Sequence, residues 1–161
     1  MSHWVEQLAV VHARMQSACA QCGRDPSQVN LLAVSKTFPA EAVRQVALAG
    51  QRDFGENYIQ EGVEKITQLR SDASLPPLVW HCIGPIQSNK TKLVAEQFDW
   101  DHTVDRLKIA QRLSDQRPAH LAPLNVCLQI NIDGGETKSG TAPTDALALA
   151  REVVALPRSV L

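Results

Sequence analysis

Apolar side chains recur every third or fourth position at Trp4, Leu8, Val11, Met15 and Ala18, the spacing of one face of an α-helix. The pattern predicts a helix over residues 2–22, ended by Gly23 with Pro26 just beyond it. A different rhythm then sets in. Short apolar runs at 29–35, 52–55, 78–83, 100–104 and 124–132 alternate with helical patterns at 39–49, 57–69, 88–97, 105–114 and 144–155. Pro39 near a first turn and Gly50 past a last one bracket the first of these helices. A strand every ~20 to 25 residues with a helix between is the sequence form of βαβ units on a parallel sheet. Residues 156–161 lead toward a further strand. The expectation is one α/β domain over residues 1–161, with an N-terminal helix and five strand–helix units. Right-handed crossovers leave two architectures open. One is an open, doubly wound, flavodoxin-like sheet of five strands. The other is part of a (β/α)8 TIM-type barrel, which needs eight such units and ~250 residues.

Composition narrows the partners. Sixteen basic side chains against seventeen acidic ones leave a formal net charge of −1, so no field draws nucleic acid or an anionic membrane. No apolar run approaches the ~20 residues of a spanning helix, and residues 1–6 lack the charged and apolar regions of a secretion signal. A cytoplasmic protein with no membrane or nucleic-acid partner is expected. Cys82 and Cys127 lie in strand-like runs and read as small hydrophobes. Cys19 and Cys22 form a C-x-x-C pair, yet no second pair follows at zinc spacing, and the motif closes a helix. No metal site is expected.

The chemistry gathers where strands give way to loops. In Leu31-Leu32-Ala33-Val34-Ser35-Lys36-Thr37, alternation places Leu32, Val34 and Lys36 on one face. Lys36 then sits at the carboxyl end of the sheet, the ligand-binding edge of both candidate architectures. Partial burial there disfavours the ammonium and suits an amine that attacks a carbonyl, although a lysine snorkelling to water fits the same position. Asn57, with Gln60 three residues on, reads as a helix N-cap and equally as an amide facing a ligand. His81 falls inside the third strand, as a satisfied core histidine or a site residue. Lys90 and Lys92 enter the first turn of a helix, where the dipole disfavours cations. The fifth strand carries Asn125, Cys127, Gln129 and Asn131 on one face, a polar row that a hydrogen-bonded barrel interior would accommodate. The loop at 133–140 lacks the order of a nucleotide P-loop and reads as mobile, with Lys138 near the mouth.

These residues resemble the pyridoxal phosphate homeostasis proteins. The motifs that carry the resemblance are 32–37, 54–58, Trp80-His81 through Gly84-Pro85 to 87–90, and Asn131-Ile132 with 138–140. The resemblance spans essentially the whole chain. It implies a single (β/α)8 barrel like the N-terminal domain of alanine racemase, C-terminally truncated here to about its first five strand–helix units. It further implies pyridoxal 5'-phosphate held as a Schiff base on Lys36, Asn57 and His81 near the cofactor ring, and Lys138 as a nearby lysine affecting exchange. Apo-enzymes that use the cofactor would be recipients, and no catalytic reaction is expected. A racemase-like enzyme is the alternative, and it would need an acid/base residue opposite Lys36. The chain departs from the family at Phe38, where members often carry a second lysine, so a transfer route through that position is not expected. The phosphate cradle would lie in the last three strands, so this chain is expected to hold the cofactor weakly.

Overall fold

The computed structural model describes residues 2–161. The elements run α1 (His3–Cys22), β1 (Ala33–Val34), α2 (Ala40–Leu48), β2 (Asp53–Glu56), α3 (Ile59–Arg70) and β3 (Val79–Cys82), then α4 (Thr91–Gln97), β4 (Trp100–Val104), α5 (Leu107–Gln116), β5 (Leu124–Leu128), α6 (Ala146–Val154) and β6 (Ser159–Val160). Every strand pairs in parallel with its sequence neighbour, giving the order β1-β2-β3-β4-β5-β6. Consecutive helices pack on one another in the same order, from α1 on α2 to α5 on α6. A doubly wound sheet instead reverses its strand order so that helices cover both faces. Sequential parallel strands with one hand of crossover put all the helices on one side, which is the wall of a (β/α)-barrel. The flavodoxin-like alternative is therefore removed, and the residues after α6 supply a sixth strand beyond the five expected.

The pleat gives the wall two unlike faces. Phe54, Trp80, Cys82, Val104, Leu124 and Val126 point to the helices and are buried. They pack with Ile66, Val94, Phe98, Leu113 and Val153 from α3 to α6. Phe54 and Trp80 are register partners whose ring centroids lie 5.6 Å apart. Each side chain of this size taken out of water contributes about 1.5–3 kcal/mol. The inner face carries Val34, Gly55, His81, Trp100 and Asn125, which follow one another across the strands in register.

Several boundaries moved for local reasons. Gly23 ends α1 at φ 67, as expected, and its N–H reaches back to Ala20. The α1 stripe is only partly covered: Trp4, Leu8 and Met15 are half-buried, whereas Val11 and Ala18 are exposed. β1 is two residues long because the Gln51 amide donates to the Leu31 carbonyl at 2.7 Å and the Asp53 carbonyl at 2.8 Å, in place of further ladder bonds. The helix expected at 88–97 opens as a 3₁₀ turn over Ser88–Lys90. Among the described residues no helix is long and apolar enough to cross a membrane, and no group of three metal-ligating side chains occurs.

Candidate functional site at the carboxyl edge

Lys36 stands just past β1. The Ser35 N–H donates to the Gly55 carbonyl at 2.9 Å, carrying the ladder one residue beyond the strand. Ser35 turns outward, where its hydroxyl donates to Glu56 Oε1 at 2.8 Å. Beyond it the chain leaves the pleat: the Phe38 N–H donates to the Ser35 carbonyl at 3.1 Å, closing a turn with Lys36 and Thr37 at its centre. Leu32 lies on the inner face, where a Cβ on Gly55 would touch the side chains of both Leu32 and Ile83. Lys36 is half-buried. Among the described residues its amine has neither a salt bridge nor a hydrogen bond.

Val34, Gly55 and His81 form one inner row, and Lys36, Asn57 and Ile83 each follow two residues after a member of it, past the carboxyl ends of β1, β2 and β3. Asn57 does not cap its helix. The N-cap of α3 is Tyr58, and Gln60 bonds to Glu64 at 3.4 Å instead of closing a capping box. The backbone of Asn57 is pinned by Gly84, where an added Cβ would fall 2.4 Å from the Asn57 carbonyl oxygen. Its side-chain Oδ1 is buried and has no partner. An orphaned amide oxygen is costly unless something donates to it, and this one lies just past β2, the strand paired with β1. A crevice of about 580 Å³ opens beside it, lined by Asn57, Tyr58, Gln87, Lys90 and Arg106 among others. Lys90 turns toward this crevice, while Lys92 is exposed and pairs with Glu96 at 3.7 Å on the solvated helix face.

His81 lies one row deeper than expected of a mouth residue, and both of its ring nitrogens are engaged. Nε2 meets Asp53 Oδ1 at 2.8 Å, and Nδ1 meets His102 Nε2 at 2.9 Å. A carboxylate only accepts, so His81 Nε2 donates to Asp53. Burial, and secondarily the charge that His81 carries when protonated, hold His102 below the usual histidine range. The Trp100 ring stacks on His81 at 5.5 Å and 11°. His81 is thus the saturated centre of an interior layer, able to touch a ligand by its surface only. Lys138 is exposed and paired with Asp133. Its loop is tied down: Asn131 bonds both Gly134 and Gly135 at 3.1 Å, and the Gly140 N–H donates to Asp105 at 3.2 Å. The loop expected to be mobile is thus hydrogen-bonded in place, and it follows β5, four strands from β1.

Sequence reasoning missed a charged cluster behind Lys36. Lys65, 5% exposed on α3, bonds the fully buried Glu56, the Ser35 carbonyl at 2.8 Å and Glu61 at 3.3 Å. Its one signal was a lysine at a core position of an otherwise apolar helix stripe. Also missed was Asp101 on the outer face, whose carboxyl is pushed up to about 7, chiefly by burial. Burial likewise raises the neighbouring Cys82 thiol, so it stays an unreactive core residue.

Residues 8–161 match the family described as alanine racemase, N-terminal domain. A protein of Pseudomonas aeruginosa named pyridoxal phosphate homeostasis protein is 60% identical over 98% of this chain and 66% of its own length. The Escherichia coli protein of the same name is 52% identical over 98% of the chain and 67% of its length. The chain thus spans about two thirds of these relatives. Among solved structures, PipY of Synechococcus elongatus, at 35% identity, matches with a TM-score of 0.77 without PLP and 0.74 with PLP bound, over 91% of this chain and 66–67% of PipY. An alanine racemase of Clostridium difficile, at 17% identity and TM-score 0.65, covers 83% of this chain and 34% of its own; it shares the fold.

Proposed function

Since the chain belongs to the pyridoxal phosphate homeostasis proteins, built on the alanine racemase N-terminal domain, we propose that it binds pyridoxal 5'-phosphate on Lys36 and serves to hold and release it. The observation that carries this reading is Lys36 itself: half-buried, just past the carboxyl end of β1, and without an ion pair among the described residues. The residues present fit the group. Lys36 can reach an aldehyde without first breaking a salt bridge, and the orphaned Asn57 Oδ1 offers an acceptor to a ring hydroxyl. When bound, pyridoxal phosphate would supply an electrophilic aldehyde carbon, and Lys36 would hold the group through it, the carbonyl oxygen leaving as water. Asn57 orients the ring from the neighbouring strand. The layer of His81, Trp100 and His102 forms a dense floor that excludes water from below. Lys138, released from Asp133, would act as a second amine at the rim during exchange.

Holding and delivery, not turnover, is the proposed role, in keeping with relatives named for homeostasis. Apo-enzymes that receive the cofactor and a cytoplasmic setting belong to the same proposal and rest on the family alone. The test is a titration of the chain with pyridoxal phosphate, following imine absorbance, for the native protein, Lys36→Ala and Asn57→Ala. Lys36→Ala is expected to abolish the band, and Asn57→Ala to weaken binding about tenfold, the loss of one hydrogen bond of ~1.4 kcal/mol. A native chain without the band at millimolar cofactor, or an unchanged band in Lys36→Ala, overturns the proposal. Turnover of amino acids by the loaded protein would favour the racemase-like alternative.

A further inference from the structure

We propose that Glu61 and Lys65 of α3 are positioning residues that aim Lys36 by gripping the peptide groups on either side of it. The inference rests on Lys36 being the cofactor lysine.

The Ser35 carbonyl accepts from Lys65 Nζ at 2.8 Å, and the Thr37 N–H donates to Glu61 Oε1 at 2.7 Å. Those two groups belong to the two rigid peptide planes that meet at the Lys36 Cα, and the only soft backbone rotations at that residue are of these planes about it. Holding both planes fixes the direction of the Lys36 Cα–Cβ bond. The grip has a firm anchor. Lys65 is 5% exposed and paired with Glu56, which is fully buried and also accepts from the Ser35 hydroxyl at 2.8 Å. Lys65 further reaches Glu61 at 3.3 Å, so the two jaws of the grip are joined to each other.

The backbone carries strain at the same place. Thr37 sits at φ 65, in the left-handed region that a β-branched residue rarely enters. Such a conformation costs ~1–2 kcal/mol and persists where the surroundings over-determine it. Two bonds hold it here: the Phe38 N–H closes a turn on the Ser35 carbonyl at 3.1 Å, and the Thr37 N–H is held by Glu61 at 2.7 Å. A lysine snorkelling to water has no use for this arrangement, since its long side chain finds solvent from many backbone directions. An amine that must meet one carbon does have a use for it, because misplacement by about 1 Å can cost ~100-fold in rate.

The test compares Glu61→Ala, Glu61→Gln and Glu61→Asp in the full chain, with pyridoxal phosphate as the probe. Two readouts are the rate of imine formation and the circular dichroism induced in the cofactor band, which reports a fixed orientation. Urea unfolding is recorded beside them. Glu61 is partly exposed and Lys65 keeps Glu56, so the variants are expected to fold. Glu61→Gln keeps an acceptor within reach of the Thr37 N–H and should behave as native. Glu61→Asp keeps the charge but shortens the reach, and Glu61→Ala loses both; each should form the imine about tenfold more slowly and lose most of the induced dichroism. If Glu61→Ala does not fold, the Gln and Asp pair still decides. Native rates and dichroism in Asp and Ala overturn the positioning role, as does a loss in Gln with Asp unaffected, which would make charge alone responsible. Failure of the cofactor assignment looks different: the native chain then forms no imine, or forms it equally in Lys36→Ala, and the positioning role falls with it.

Discussion

Asp101→Asn is expected to erase a pH dependence of stability that the outer face of β4 builds into the native chain. Asp101 is fully buried. One carboxylate oxygen accepts from the Thr103 N–H at 3.2 Å and its hydroxyl at 2.8 Å, and the other has no partner. Burial is the largest influence and outweighs the Thr103 bonds, pushing the carboxyl from 3.8 up to about 7. The unfolded chain therefore loses this proton first. Across the window between those two values the native state binds more protons, so its stability is fully present below the lower value and declines as pH rises through the upper one. At 1.36 kcal/mol per unit, pH 5 lies two units below about 7, and the native chain should be more stable there than at pH 8 by about 3 kcal/mol from this group. Other groups titrate alike in both proteins and cancel in the difference. Urea unfolding followed by tryptophan fluorescence at pH 5 and pH 8 gives that difference directly. The variant should gain on the native chain by ~2–3 kcal/mol between the two pH values. A gap that stays constant with pH refutes the argument that burial keeps Asp101 protonated.

Three further outcomes are expected. Gly84→Ala brings a Cβ to 2.4 Å from the Asn57 carbonyl; it should cost about 1–3 kcal/mol in urea unfolding and weaken cofactor binding more than Asn57→Ala does. Lys65→Met leaves Glu56 buried without its cation and should cost about 3–5 kcal/mol, of which adding Glu56→Leu restores at least half, as two unfolding curves can check. Thr37→Gly removes the left-handed strain at φ 65 and should raise stability by roughly 0.5–1 kcal/mol if Glu61 still holds the turn, read from the same curves.

Much of the architecture was legible because it is written in period and order. The alternation of strand and helix announced a parallel sheet, and Lys36 lay at its carboxyl edge on strand parity alone. What was illegible depends on register between distant segments. His81 and His102 are neighbours only because β3 and β4 pair with His81 opposite Trp100, and the ring that looked available is thereby saturated. Asn57 looked like a cap because capping is a local signal. The close approach of Gly84, a tertiary fact, pins its backbone two places before α3, and its amide oxygen is left unpaired. The run at 124–132 was read as one strand, yet Ile130 leaves the ladder to bridge Thr141, folding the Lys138 loop back on itself. Glu56 and Lys65 pair across nine residues of strand, loop and helix, a spacing that no helix or strand period reveals.

On the proposed function, the half-buried Lys36 amine is the group that captures pyridoxal phosphate. Incubating the chain with the cofactor, reducing with borohydride and mapping the labelled peptide by mass spectrometry tests it most directly. The reduced adduct is expected on Lys36 as the dominant site and is expected to be absent from Lys36→Ala. Equal labelling of exposed lysines such as Lys92 and Lys138, with Lys36 unmodified, would contradict it.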